Sequence, residues 1–212
     1  MKKIEWKRIL YMILGVCCIG IGTVCLRFAG FGTDPFSCMN LGVSNHLPIS
    51  YGTCQLTINL LLFIPVLLLC PKSFGIGALF NMFGIGYIVE LCLWLCGLFG
   101  LTVENITDLL TVRILFLIVG IVIFCFGVAL YMECDLGVAP YDMIGQIVED
   151  RTDGKIKFKW VRVSLDLLCM LIGFFLGGSI GVATVGVAFF TGPVVSWFRD
   201  KIVRKLMDSY EL

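Results

Sequence analysis

The chain has 212 residues, of which 59% are hydrophobic and only 15% charged, with a mean hydropathy of +1.00 and a formal net charge of +1. A soluble domain carries about 25% charged residues, so this chain lacks the polar surface needed to face water. Its near-neutral charge also lacks the basic excess of a nucleic-acid binder. The partner to expect is the lipid bilayer, and the useful unit of description is the membrane span.

A helix needs about 20 predominantly apolar residues to cross the hydrocarbon core. In chain order the first candidate is 9–28. The preceding "MKKIEWKR" resembles the start of a signal peptide, but the run ends in bulky Leu26-Arg27-Phe28 rather than a small-residue cleavage site, so it reads as a retained span. Next comes "GFGTDPFSCMN", in which Gly32, Asp34 and Pro35 predict the entry to a short helix, with Asp34 as N-cap and Pro35 at the first helical position. Phe36, Met39, Val43 and Leu47 fall on one face of it, and Ser37, Asn40 and Ser44 on another. The pattern is amphipathic and fits a helix that lies in the interface or re-enters the membrane.

Spans are expected over 51–70 and 74–97, joined only by "PKS". Residues 102–112 form a loop with Glu104 and Asp108, and Asn105-Ile106-Thr107 matches a glycosylation acceptor to which no role is assigned. A fourth span over 114–132 leads into "DLGVAPYDMIG", where Gly137 and Pro140 predict a second short helix. There Tyr141, Ile144 and Val148 oppose Asp142, Gln146 and Glu149. The last spans, 160–177 and 180–198, are separated by Gly178 and Ser179.

Fourteen of the sixteen Lys and Arg residues fall on one side of such a six-span chain, and only Arg27 and Arg113 on the other. The excess of positive charge marks the cytoplasmic side, which predicts both termini there in a bacterial plasma membrane.

An offset of 105 residues aligns Gly22 with Gly127, Gly32 with Gly137 and Pro35 with Pro140; Phe36 falls on Tyr141 and Ser37 on Asp142. After a two-residue insertion Tyr51 matches Phe158, Gln55 matches Arg162 and Asn59 matches Asp166. Further on, Gly75, Gly77 and Gly86 match Gly181, Ala183 and Gly192. The predicted fold is all-α, with six spans in two three-helix repeats over 9–101 and 113–201, joined by an outer loop over 102–112, in one membrane domain. Three spans per repeat invert the second copy, and inverted repeats around a midplane site are a plan of secondary transporters.

Ionisable residues inside spans are costly and usually functional. Glu90 interrupts the third span without a sequence-local cation, and Asp166 lies four residues from Arg162, close enough to pair. Gln55 and Asn59 occupy the equivalent positions in the first half. Asp142, Gln146, Asn40 and Asp34 complete the candidate substrate-binding set. The eleven cysteines read as reduced thiols in apolar surroundings. No metal site, cofactor motif or catalytic constellation is recognised: His46 is the lone histidine, so the chain is not expected to be an enzyme.

The segments "GFGTDPFSCMNLG", "ISYGTCQL", "FGIGALFNMFGIGYIVE", "LGVAPYDMI" and "GVATVGVAFFTGP" resemble the bacterial YczE/YitT-type membrane proteins, the YczE branch in particular. The resemblance covers about residues 9–200 and implies an integral plasma-membrane protein without naming a substrate. In that branch an acid follows the aromatic residue after the proline; Asp142 keeps it and Ser37 replaces it. The expected function is a small-solute or ion transporter, and the alternative is a non-transporting regulatory or assembly partner. Both leave room for an oligomer or a protein partner.

Overall fold

A computed structural model describes residues 6–69, 75–103 and 110–208. Its helices are α1 (Trp6–Ala29), α2 (Pro35–Ser44), α3 (Tyr51–Leu69), α4 (Ile76–Leu98), α5 (Leu110–Glu133), α6 (Pro140–Arg151), α7 (Phe158–Phe175) and α8 (Val182–Phe198). A π-helical turn, Arg199–Val203, and α9 (Arg204–Asp208) follow. No strand occurs among the described residues. The "PKS" turn, Glu104, Asp108 and the glycosylation tripeptide lie outside them.

Five helices are long and apolar enough to cross a membrane: α1, α3, α4, α5, and α8 continued to Met207. The expected span over 160–177 is a helix, α7, but is not among the five. Three of its 18 residues, Lys159, Arg162 and Asp166, are charged. The other helices present bulky apolar faces outward, with Leu68 78% and Phe99 81% exposed. Lipid tolerates such faces, whereas water would drive them to associate.

Small residues decide the central packing. A Cβ on Gly15 would lie 2.8 Å from the Tyr131 nitrogen and 2.9 Å from the Gly127 carbonyl oxygen. One on Gly22 would lie 2.7 Å from the Phe124 nitrogen, and one on Gly120 would lie 3.2 Å from the Gly22 oxygen. Gly15 therefore meets Gly127 and Gly22 meets Gly120, so α1 and α5 cross antiparallel with their backbones nearly touching. Apolar burial gives little association energy between helices in lipid, and close backbone approach supplies the van der Waals contact instead. α4 packs on α1, and α8 on α5.

Two clasps tie the halves of the chain together. Gly77 N–H donates to the Leu136 carbonyl at 2.7 Å, and Ala183 N–H donates to the Phe31 carbonyl at 2.9 Å. Each clasp closes on a glycine in the left-handed region, Gly137 with φ +97° and Gly32 with φ +101°. A side chain at either would be strained and would collide with Gly75 or Gly181.

The short helices exchange partners: α2 packs on α3 and α7, and α6 packs on α7 and α3. This corrects the amphipathic picture of α2. Its polar residues Ser37 and Asn40 are buried together with Met39, because protein covers both faces, and Leu47 lies beyond the helix end. Among the described residues the cysteines are free thiols, five buried and five half-buried.

Candidate functional site

The entry to α2 follows local rules. Asp34 accepts a hydrogen bond from Ser37 N–H at 3.0 Å, and Pro35 occupies the first turn, where its missing N–H costs nothing. The entry to α6 has Ala139 at the equivalent position, with Pro140 likewise in the first turn and no side-chain cap. The second residues of the two helices, Phe36 and Tyr141, stack at 4.7 Å between ring centroids. The N-terminal ends of α2 and α6 thus face each other.

Tyr141 begins a polar network that continues onto α7. Its hydroxyl donates to Asp166 Oδ1 at 2.6 Å, and the Cys169 thiol lies 3.6 Å from the same hydroxyl. Arg162 Nε approaches Asp166 Oδ2 at 3.4 Å, its Nη1 pairs with Asp142, and its guanidinium carbon stands 4.6 Å from the Tyr141 ring centre. Arg162 is thereby held between two carboxylates and over an aromatic face. Such a planar, delocalised cation suits ion pairing and stacking together. Two acids around one guanidinium leave the trio with a net negative charge.

This network forms one wall of a cavity of about 490 Å³ between α7 and α8, lined by Asp142, Arg162 and Asp166 together with Trp160, Met132 and Phe189. The shape, mostly apolar with a few convergent polar groups, is that of a small-molecule site. Arg199 also lines it and is held by Glu133 at 2.9 Å; Arg204 binds the same carboxylate at 3.0 Å.

The equivalent space between α3 and α4 is shut. A Cβ on Gly86 would lie 2.7 Å from Gly52 Cα, Glu90 Oε1 accepts from Gly52 N–H at 2.7 Å, and Thr53 Oγ1 stands 3.4 Å from the Tyr87 hydroxyl. Gly192, the sequence counterpart of Gly86, has nothing within 4 Å of such a Cβ.

The candidate residues therefore divide. Asp142, Arg162 and Asp166 come together at the cavity. Glu90 does not join them: its carboxylate satisfies an amide in the first turn of α3, where the free N–H groups of a helix start attract negative charge. Gln146 is exposed on α6. Asn40, Gln55, Asn59 and Asp34 are buried in the first half, each with one side-chain atom that has no hydrogen-bond partner: Asn40 Oδ1, Gln55 Oε1, Asn59 Nδ2 and Asp34 Oδ2. Gly32 and Gly137 sit in the clasps, and Pro35 and Pro140 open the short helices. No group of three or more His, Cys, Asp or Glu residues able to hold a metal occurs among the described residues. Nothing in the sequence pattern singled out the Glu133–Arg199 pair, a contact across 66 residues. Only a weak signal, an aromatic beside the acid of "PYD", pointed to the hydroxyl of Tyr141.

The chain is similar to an uncharacterized protein of Haemophilus influenzae, 29% identical over 98% of this chain and 90% of that one. It is also similar to two Bacillus subtilis proteins. One is the uncharacterized membrane protein YczE, 23% identical over 82% of this chain and 77% of that one. The other is the uncharacterized protein YyaS, 24% identical over 94% and 96%. No solved structure matches it. Its apolar helices and its YczE-type relative make it a membrane protein. The model of the Family of unknown function (DUF6198) matches residues 6–200, and the chain belongs to that family.

Proposed function

We propose that the chain is a carrier for a small solute, built from two inverted three-helix repeats that alternate access to a site between them. The observation that carries this reading is the unequal state of two equivalent helix pairs: α3 is sealed onto α4 by Gly52, Gly86 and Glu90, while α7 stands off α8 around a cavity of about 490 Å³. Two copies of one unit in opposite states are what an alternating-access protein holds at any moment. The paired clasps and the Gly15–Gly127 and Gly22–Gly120 crossings support the repeat, since each contact has a counterpart at the sequence offset of 105–106.

In this reading α7 crosses the membrane as a sixth span, with Arg162 and Asp166 facing protein. The Lys and Arg excess puts both termini in the cytoplasm, so the cavity opens inward. Asp142 and Asp166 are the groups that exchange Arg162 for a solute or a proton. Nothing in this mechanism breaks a covalent bond, so the chain acts as a carrier and not as an enzyme.

Uptake of a panel of small organic cations, anions and zwitterions into vesicles reconstituted with the full chain tests the proposal. Transport that Asp166→Asn or Asp142→Asn abolishes supports it. A chain that transports none of the panel and instead retains a protein partner in pull-down favours the regulatory reading.

A further inference from the structure

Arg27, near the end of α1, is the cation that the cavity mechanism does not use. Its Nε and Nη2 atoms are buried and have no hydrogen-bond partner, and it forms no ion pair among the described residues. Those two atoms form the edge of a guanidinium that grips a carboxylate through two parallel bonds. The other arginine outside the cytoplasmic set, Arg113, differs: its Nε and Nη2 donate to the carbonyls of Ala29 and Gly30 at 2.9 and 3.0 Å. Arg27 instead lies over the ring of Tyr51, 4.0 Å from its centre, which leaves the donor edge unoccupied.

The surroundings are also built for a polar guest. Tyr51 is only 7% exposed, and its buried hydroxyl lies close to Arg27 and Ser37 without a hydrogen bond of good geometry to either. A buried guanidinium edge left dry is expensive, and proteins normally satisfy every such donor. Arg27 as a whole is half-buried, while its Nε and Nη2 atoms are covered by protein. Asp34, the N-cap of α2, uses one oxygen to cap Ser37, leaves Oδ2 unpartnered, and lies within electrostatic reach of Tyr51. One guanidinium offsets one negative charge, so a buried monoanion fits beside it better than a dianion.

We propose that Arg27 and Tyr51 form an oxyanion site that takes a monocarboxylate in preference to a dianion such as hydrogen phosphate. The two N–H groups of Arg27 hold the carboxylate oxygens and the Tyr51 hydroxyl donates a third bond. The site does not depend on transport, so its fate and that of the carrier reading are read separately.

The test uses the full chain in nanodiscs of zwitterionic lipid, with thermal unfolding and calorimetric titration as readouts. Sodium propionate is compared with sodium chloride and sodium phosphate at equal ionic strength, and decanoate is included to separate a soluble ion from a lipid-like amphiphile. The expected result is a saturable rise in melting temperature with propionate or decanoate and affinity about tenfold lower for phosphate. Arg27→Gln should abolish the rise, Arg27→Lys should weaken binding about tenfold by losing the fork, and Arg113→Gln should leave it intact. Should Arg27→Gln fail to fold, Arg27→Lys and Tyr51→Phe carry the test, each with weakened binding. Binding of propionate assigns the site to a soluble carboxylate, and binding of decanoate alone assigns it to an amphiphile's headgroup. The proposal is overturned by equal responses to carboxylate and chloride, by phosphate binding as well as propionate, or by undiminished binding in Arg27→Lys.

Discussion

Glu90 on α4 accepts a hydrogen bond from the backbone N–H of Gly52 on α3, at 2.7 Å, across 38 residues of chain. A carboxylate in an apolar helix is usually taken for a ligand group. Here it works as a latch: the charge that makes it costly in lipid is offset by a helix start that needs an acceptor.

Removing the latch separates two effects. Glu90→Ala should cost about 1.5–3 kcal/mol, the value of a hydrogen bond to a charged group, and should raise maleimide labelling of Cys54, which is buried two residues beyond Gly52 on α3. Glu90→Gln keeps an acceptor and should fall between. Thermal unfolding in detergent with labelling rates checks both; equal behaviour of Gln, Ala and wild type would remove the latch from the account.

Arg162 is shared between two acids. Arg162→Gln leaves Asp142 and Asp166 with no shared cation, and breaking a pair of this kind costs about 3–5 kcal/mol when fully buried. Because Arg162 retains 28% side-chain exposure, the lower end is expected. Adding Asp166→Asn should restore a substantial part of the loss. A double-mutant cycle on unfolding free energy measures the coupling, and additive effects would mean the residues do not act as a unit.

The glycine crossing makes a graded prediction. Gly15→Ala and Gly22→Ala put a Cβ within 3 Å of the backbone of α5 and should lower the melting temperature by several degrees, as overpacking costs about 1–3 kcal/mol. Gly186→Ala meets nothing within 4 Å and should be neutral or slightly stabilising. Comparable losses at all three positions would show that the crossing is not held by close approach.

What could be read from the sequence was whatever obeys short-range rules. Asp34 and Pro35 announce a helix start because capping acts within four residues, and the Arg162–Asp166 pair follows from helical spacing. Helix positions follow from runs of apolar residues; α7 was the hardest, since its charges weaken the run. The offset of 105 told which residues correspond, such as Gly22 with Gly127, but not which touch, since Gly15 meets Gly127 and not its own counterpart. Contacts across 20–40 residues were out of reach: Asp142 with Arg162, Tyr141 with Asp166, Gly52 with Glu90. Each depends on how helices cross, which periodicity does not specify. Arg27 could be seen as a cation near the end of a span, yet only packing reveals that its donor edge is left open.

The central claim is that α3–α4 and α7–α8 are equivalent gates in opposite states. Spin labels on Thr53 and Tyr87 report the first pair, and labels on Trp160 and Ser196 report the second. Pulsed electron-spin distance measurements on the full chain in nanodiscs, with and without a transported solute, are the most direct test. The account predicts opposite changes, the first distance growing in the same population in which the second shrinks. Two distances that stay fixed, or that open and close together, would contradict it.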